Sequence, residues 1–328
     1  MKMAKRKNPN LQTMQHALET PILFLIFNRP DSTRVVFDQI RKARPRYLFV
    51  AADGARSSIN GEKEKCEQTR SILQEVDWPC SIKTLFRDEN LGCGPAVSSA
   101  ITWFFEQVTE GIILEDDCYP DLSFFSYCTE LLSRYRNTNE VMLIGGNNFQ
   151  DGISRGKGSY YFSHYPEIWG WASWRRAWKN YDFEMNDLEA TFESGNLQNC
   201  FKTRAEKKYW LEKFSQAKNG KTNTWDYQLM YSILKNKGLA ISPQVNLVKN
   251  IGIENNPTHH SLADSKKDLK TNVLTFPMVH PVKIVADKTA DQYTFSQIYS
   301  RSPRRLLRLV RENGLRNFLF YIFRNVLK

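Results

Sequence analysis

The apolar positions of this chain fall into short runs at residues 22–27, 47–51, 82–86, 112–114 and 141–144, separated by stretches in which apolar residues recur every three or four positions. Such short runs are strand length, and the intervening spacing is that of amphipathic helices. Between the first two runs, Asp31 and Ser32 are the predicted N-cap oxygens. Val35, Val36, Phe37 and Ile40 follow on one face, with Arg41 and Lys42 at the end where the helix dipole favours cations. The same period marks residues 61–76, the stretch after Pro95 through Val97, Ile101, Phe104, Phe105 and Val108, and residues 121–135. Parallel strands need a crossover, and a helix supplies it. The predicted fold is therefore α/β, with a Rossmann-like, mostly parallel central sheet flanked by helices.

From residue 151 the pattern loosens. Gly152, Gly156 and Gly158 mark a loop, and an aromatic cluster follows at Tyr160, Tyr161, Tyr165, Trp169, Trp171, Trp174 and Trp178. Residues 205–217 and 226–237 read as helices, 239–248 as a late strand with Pro243 near its start, and 255–262 as loop. Residues 303–328 carry Leu306, Leu307, Val310, Leu315, Phe318, Leu319, Ile322 and Val326 at helical spacing among arginines, interrupted by Gly314.

The net charge of +11 would point to nucleic acid or a membrane if it were spread over the body. It is confined to the ends. Lys2, Lys5, Arg6 and Lys7 stand without an acid in the first ten residues, and residues 301–328 hold eight Lys or Arg against Glu312, which leaves residues 11–300 neutral. A neutral body argues against a nucleic-acid groove within it. The basic amphipathic tail suits an anionic membrane surface, or equally a helix docked on the protein's own core. Six cysteines without a CxxC pair signal neither zinc nor a disulfide framework and fit a reducing, cytoplasmic setting. No apolar run approaches the ~20 residues of a spanning helix.

The chemistry is expected at residues 112–117, where Ile112, Ile113 and Leu114 run straight into Glu115, Asp116 and Asp117. Open α/β sheets bind ligands beyond the carboxyl ends of their strands. Adjacent carboxylates repel one another unless a cation lies between them, and hard oxygen ligands suit Mn²⁺ or Mg²⁺ carrying a substrate diphosphate. Departure of that diphosphate from a sugar carbon requires an acceptor hydroxyl and a base to take its proton. Asp226, within Thr224, Trp225, Asp226, Tyr227 and Gln228, is a single acid at a predicted helix start beside bulky aromatics; the alternative is a capping aspartate. Trp169 and Trp171, flanking Gly170, are the expected exposed pair for a sugar face, since alternate residues of an extended segment point the same way. Glu167 beside them is a candidate for acceptor hydroxyls.

Four segments in order resemble a GT-A fold glycosyltransferase, nearest to the N-acetylglucosaminyltransferase I family in the form of a bacterial-type relative. They are Asn28, Arg29, Pro30, Asp31, Ser32 and Thr33; Ala52, Asp53 and Gly54; Leu114, Glu115, Asp116 and Asp117; and Trp225, Asp226 and Tyr227. The resemblance covers residues 20–262. It implies that Arg29 contacts donor phosphates, Asp53 the uracil ring, Glu115 and Asp116 the sugar and ribose hydroxyls and Asp117 the metal, with Asp226 as general base and inversion as the outcome. Asn90, Leu91 and Gly92 are similar to a donor-positioning loop of inverting GT-A enzymes, Arg87 is a further phosphate candidate, and the resemblance implies that His259 or His260 completes the metal shell, as a C-terminal histidine does in some GT-A members. On this reading residues 20–150 form the nucleotide-sugar half and 151–290 the acceptor half of one domain, with 291–328 a basic tail. The donor would be a UDP-sugar and the acceptor a saccharide or lipid-linked saccharide. The rivals are a sugar-phosphate nucleotidyltransferase, which would want a glycine-rich loop where Asn28, Arg29 and Pro30 stand, and a non-catalytic carbohydrate- or membrane-binding protein, which gives the carboxylate triplet no purpose.

Overall fold

The computed structural model describes residues 17–197, 200–252 and 269–300. Strands β1 (Ile22–Ile26), β2 (Tyr47–Ala52), β3 (Ser81–Phe86), β4 (Glu110–Glu115), β6 (Val141–Gly145), β7 (Tyr160–Ser163), β8 (Trp171–Trp174) and β9 (Leu239–Pro243) form one eight-stranded sheet in the order β3-β2-β1-β4-β8-β6-β9-β7. Neighbours β3, β2, β1 and β4 are parallel, as are β6 and β9, while β8 runs against β4 and β6 and β7 against β9. The sheet is thus mostly parallel and mixed only where β7 and β8 enter. A short ribbon pairs β5 (Cys118–Pro120) with β10 (Val248–Asn250) beyond the end of β4.

Period-two alternation sorts the strand side chains onto two cores. Ile22, Phe24, Ile26, Leu48, Val50, Ile112 and Leu114 pack against Val36, Phe37 and Ile40 of α1 (Pro30–Ala43) and Phe124, Leu131 and Leu132 of α4 (Leu122–Tyr135). Leu23, Leu25, Phe49 and Ile113 face the other way, onto Ile101, Phe104 and Phe105 of α3 (Cys93–Gln107) and Leu229 and Ile233 of α8 (Asp226–Lys235). Both faces are covered at β1, β2 and β4, which is why those strands read as unbroken apolar runs, while β3 at the sheet edge stays exposed. α2 (Glu62–Ser71) lies between β2 and β3. A third core joins the far side of α8, through Met230, Tyr231 and Leu234, to Phe192 of α6 (Leu188–Glu193) and to Trp210 and Phe214 of α7 (Arg204–Lys218). The short helix α5 (Arg175–Trp178) continues β8, and α9 (Lys288–Thr294) ends in a turn at Phe295–Tyr299.

Local expectations fail at three places. Helix α1 starts at Pro30, with Arg29 as the residue before it, so neither Asp31 nor Ser32 caps it. Proline's fixed φ suits a first helical position, and Thr33 anchors the turn by donating from both its amide (3.0 Å) and its hydroxyl (2.6 Å) to the Arg29 carbonyl. The strand expected over 239–248 is divided. β9 closes at Pro243, and the chain resumes in β10 on a different sheet after a turn pinned by Asn246, which accepts from the Asn148 amide at 3.1 Å. The segment 169–171 is not extended: Gly170 has φ +71°, which inverts the side on which the next residue emerges.

Candidate functional site

The carboxyl ends of β1, β2 and β4 open on one side of the sheet, and the charged residues gather there. Arg29 follows β1, Asp53 follows β2, and Glu115, Asp116 and Asp117 close β4. Arg29 Nη1 lies 2.7 Å from Asp117 Oδ2 and 3.3 Å from Asp116 Oδ1. Asp116 is fixed further by the Phe27 amide, which donates to its Oδ2 at 3.2 Å. Burial first, and then the neighbouring Asp116 and Asp117 carboxylates, push the Glu115 carboxyl well above the usual carboxylate range; burial likewise raises Asp116 against the pull of Arg29. One guanidinium does not neutralise three carboxylates. Burial opposes the charge on Arg29, but Asp116 and Asp117 outweigh it and hold the guanidinium protonated above its ordinary range.

The floor beside this cluster is made by two loops locked together. The Asp53 carboxylate accepts from the amides of Leu91 at 3.1 Å and Gly92 at 3.0 Å, while Asn90 Nδ2 donates to the Gly54 carbonyl at 2.7 Å. A β-carbon on Gly54 would lie 2.3 Å from the Glu89 carbonyl carbon, so only glycine admits this approach. Asp53 and Asn90, expected to meet the donor, thus also hold the loop that would face it. Arg87, the further phosphate candidate, donates through Nη2 to Ser99 Oγ at 2.8 Å.

Asp226 stands at the first turn of α8, next to buried Trp225. Its carboxylate accepts from the Thr224 hydroxyl and from the Tyr227 amide. The Asp226 charge is felt at the acidic cluster across the start of α3. Its charge contributes to the raised proton affinity of Glu115, and with Glu115, after burial, it pushes the Cys93 thiol up to about 12. Cys93, the first residue of α3, therefore lies within electrostatic reach of Glu115, Asp226, Arg29 and Asp53.

On its other side Asp226 lines a cavity of about 100 Å³ together with Glu167, Trp169, Trp210, Tyr227 and Tyr299. Glu167 and Trp169, expected at the acceptor, are brought to Asp226; Trp171 is not. Its side chain is 1% exposed, stacked on Trp225 at 5.8 Å between ring centroids. The turn at Gly170 sends Trp169 to one face of the sheet, edge-on to Phe149, and Trp171 to the other. Residues 291–300, grouped with the tail on sequence, belong to α9 and the turn after it, and Tyr299 walls the cavity. Asp291 anchors that segment by accepting from Ser163 Oγ at 2.6 Å and pairing with His164 Nδ1 at 2.7 Å. The candidates His259 and His260, the tail at 301–328 and its membrane face lie outside the described residues.

Three residues that shape this site escaped the sequence reading. Asn147 donates to the Val248 carbonyl and accepts from the Trp169 amide, each at 2.9 Å, so the Gly-Gly-Asn-Asn run at 145–148 was its signal. Asn223 accepts from the Gly94 amide at 2.8 Å. Glu62, 2% exposed, accepts from Asn28 Nδ2 and from the Arg56 amide, each at 2.7 Å.

Among the described residues no cluster of three or more His, Cys, Asp or Glu side chains is arranged to enclose an ion. The donor chemistry nonetheless fits a hard divalent cation, because the three contiguous carboxyl side chains at 115–117 share one guanidinium, that of Arg29. Mg²⁺-type sites take one or two protein carboxylates and complete their shell from phosphate and water. Among the described residues no helix is long and apolar enough to cross a membrane.

No family model and no curated protein matches the chain. Solved structures similar to it include the glycosyltransferase GlyE of Streptococcus pneumoniae (10% identity, 68% of this chain, 45% of that one, TM-score 0.32). They also include a UDP-glucose pyrophosphorylase complexed with UDP-glucose (9% identity, 71% and 91%, TM-score 0.35) and a 4-diphosphocytidyl-2C-methyl-D-erythritol synthase of Anaerococcus prevotii (10% identity, 60% and 83%, TM-score 0.31). Likeness at this level does not separate one activity from another.

Proposed function

We propose that this chain is a metal-dependent, inverting glycosyltransferase that moves a sugar from a nucleotide-sugar, with UDP-sugar the preferred guess, to a saccharide or lipid-linked saccharide. One observation carries the reading: the segment leading into Asp226 is fastened at Asn223 to the 92–94 turn that the Asp53 carboxylate holds, and Asp226 also lines the aromatic cavity, so a single carboxylate stands between the charged strand ends and a pocket for a second substrate.

Asp117 would hold Mn²⁺ or Mg²⁺, which when bound supplies charge stabilisation for a departing diphosphate. Arg29 offers the phosphates a forked donor. Glu115 and Asp116 would accept from ribose and sugar hydroxyls. Asp53 and Asn90 keep the 88–92 loop in place under the base and ribose. On the acceptor side Trp169 and Tyr299 present aromatic surface and Glu167 a hydroxyl-binding carboxylate. Asp226 would take the proton of the attacking hydroxyl, and attack from the face opposite the diphosphate gives inversion. The three-residue connection from β1 to α1, Phe27, Asn28 and Arg29, holds no glycine-rich phosphate loop, which counts against a nucleotidyltransferase.

Asp226→Asn tests the reading, because the amide keeps its size and one acceptor oxygen but not its basicity. Donor binding should persist while transfer falls by about 10²-fold or more. Undiminished transfer removes Asp226 as the base.

A further inference from the structure

Asp117 Oδ2 is engaged by a cation that the chain itself supplies, the Arg29 guanidinium at 2.7 Å. We infer that Arg29 is an exchangeable internal counter-ion. It pairs with Asp116 and Asp117 in the free enzyme, and it releases Asp117 to a divalent cation when a nucleotide diphosphate offers the guanidinium another anion. The inference rests on the functional reading above and adds how metal and nucleotide binding are coupled at that site.

The geometry gives each partner a different freedom. The Arg29 side chain is 40% exposed, whereas those of Asp116 and Asp117 are 9% and 14% exposed. The carboxylates are held in place: the Phe27 amide donates to Asp116, and Asp117 is backed by Gly252, where a β-carbon would lie 2.5 Å from Oδ2. The backbone of Arg29 is held too, since its carbonyl accepts from both donors of Thr33. Only the long side chain is left to move, and rotation about its own bonds carries the guanidinium outward from a fixed stem.

Two cations against the same carboxylate oxygen repel each other, so Arg29 competes with any divalent ion at Asp117. Diphosphate relieves the competition by giving the displaced guanidinium a bidentate partner. The two ligands then favour each other, and by linkage the factor is the same in both directions.

The experiment is a Mn²⁺ titration followed by electron paramagnetic resonance of the free aquo-ion, with and without UDP. It uses the full chain and its Arg29→Gln, Arg29→Lys and Asp117→Asn variants, each checked by thermal melting. Wild type should bind Mn²⁺ weakly alone and at least about fivefold more tightly with UDP. Arg29→Gln should bind Mn²⁺ alone at least about fivefold more tightly than wild type and lose most of the UDP enhancement, while Arg29→Lys keeps the wild-type pattern. Asp117→Asn should bind in neither condition. If wild type binds Mn²⁺ with UDP but Arg29→Gln shows the same or weaker affinity for the ion alone, the counter-ion role is refuted and the metal reading stands. If wild type binds Mn²⁺ equally well with and without UDP, the coupling is refuted even where Arg29→Gln fails to fold. Binding of Mn²⁺ by no variant in either condition overturns both.

Discussion

The Gly94 amide donates to Asn223 Oδ1 at 2.8 Å and so fastens the first turn of α3 to the segment that leads into Asp226. A β-carbon on Gly94 would lie 2.8 Å from the Thr224 carbonyl oxygen, and one on Gly92 would lie 2.6 Å from Asn223 Nδ2. The donor-side loop and the start of α8 are therefore in close contact, and the Asp53 carboxylate extends that contact to the end of β2.

Removing the Asn223 side chain should loosen Asp226 without touching the donor. Transfer by Asn223→Ala should fall about tenfold or more, since small misplacements of a reacting group are costly, while UDP affinity changes little. Parallel kinetics and calorimetry check this, and an equal loss of both would place Asn223 on the donor instead.

Trp169 and Trp171 should behave oppositely. Trp171 is buried between Trp178 and Trp225, so Trp171→Ala should cost about 3–5 kcal/mol of stability. Trp169→Ala, at the cavity wall, should leave a stably folded protein with weakened acceptor use. Chemical denaturation and acceptor-dependent kinetics separate the two effects.

Glu62 sets a pH limit on the floor of the site. Hydrogen bonds from the Arg56 side chain, joined by the Arg56 amide and Asn28, lower its carboxyl to about 2 from the usual 4.5. A depressed carboxylate stabilises the fold above its unfolded pKa, and that contribution is lost as pH falls through 4.5 towards about 2. Glu62→Gln should lower stability at pH 7 by about 1–3 kcal/mol and flatten the dependence of Tm on pH across that window. An unchanged acid limb of the melting profile would contradict this role.

The sheet was legible where both its faces are buried. Ile22, Phe24, Leu48, Val50 and Ile112 show apolar runs because helices cover them on either side. β8 was not legible. Trp171 and Trp174 look like binding aromatics in sequence, yet the strand lies between β4 and β6, a pairing that no local pattern encodes. The acidic cluster announced itself because Glu115, Asp116 and Asp117 are contiguous. Asn223 and Glu62 did not, since an amide or carboxylate held by its partners looks like any other polar residue until those partners are brought together, and Asn147 left only the Gly-Gly-Asn-Asn run as a signal. Gly170 shows the same limit: its φ of +71° reverses a side-chain parity inferred from spacing alone.

The proposed transfer depends on a cation-assisted grip of the carboxylate cluster on a sugar-bearing nucleotide. Calorimetric titration of the intact chain with UDP-sugars, with and without Mn²⁺, tests it most directly. Binding of at least one UDP-sugar that requires the ion, and that disappears in Asp117→Ala, is the predicted result. No heat of binding for any nucleotide-sugar in the presence of Mn²⁺ or Mg²⁺ would contradict it.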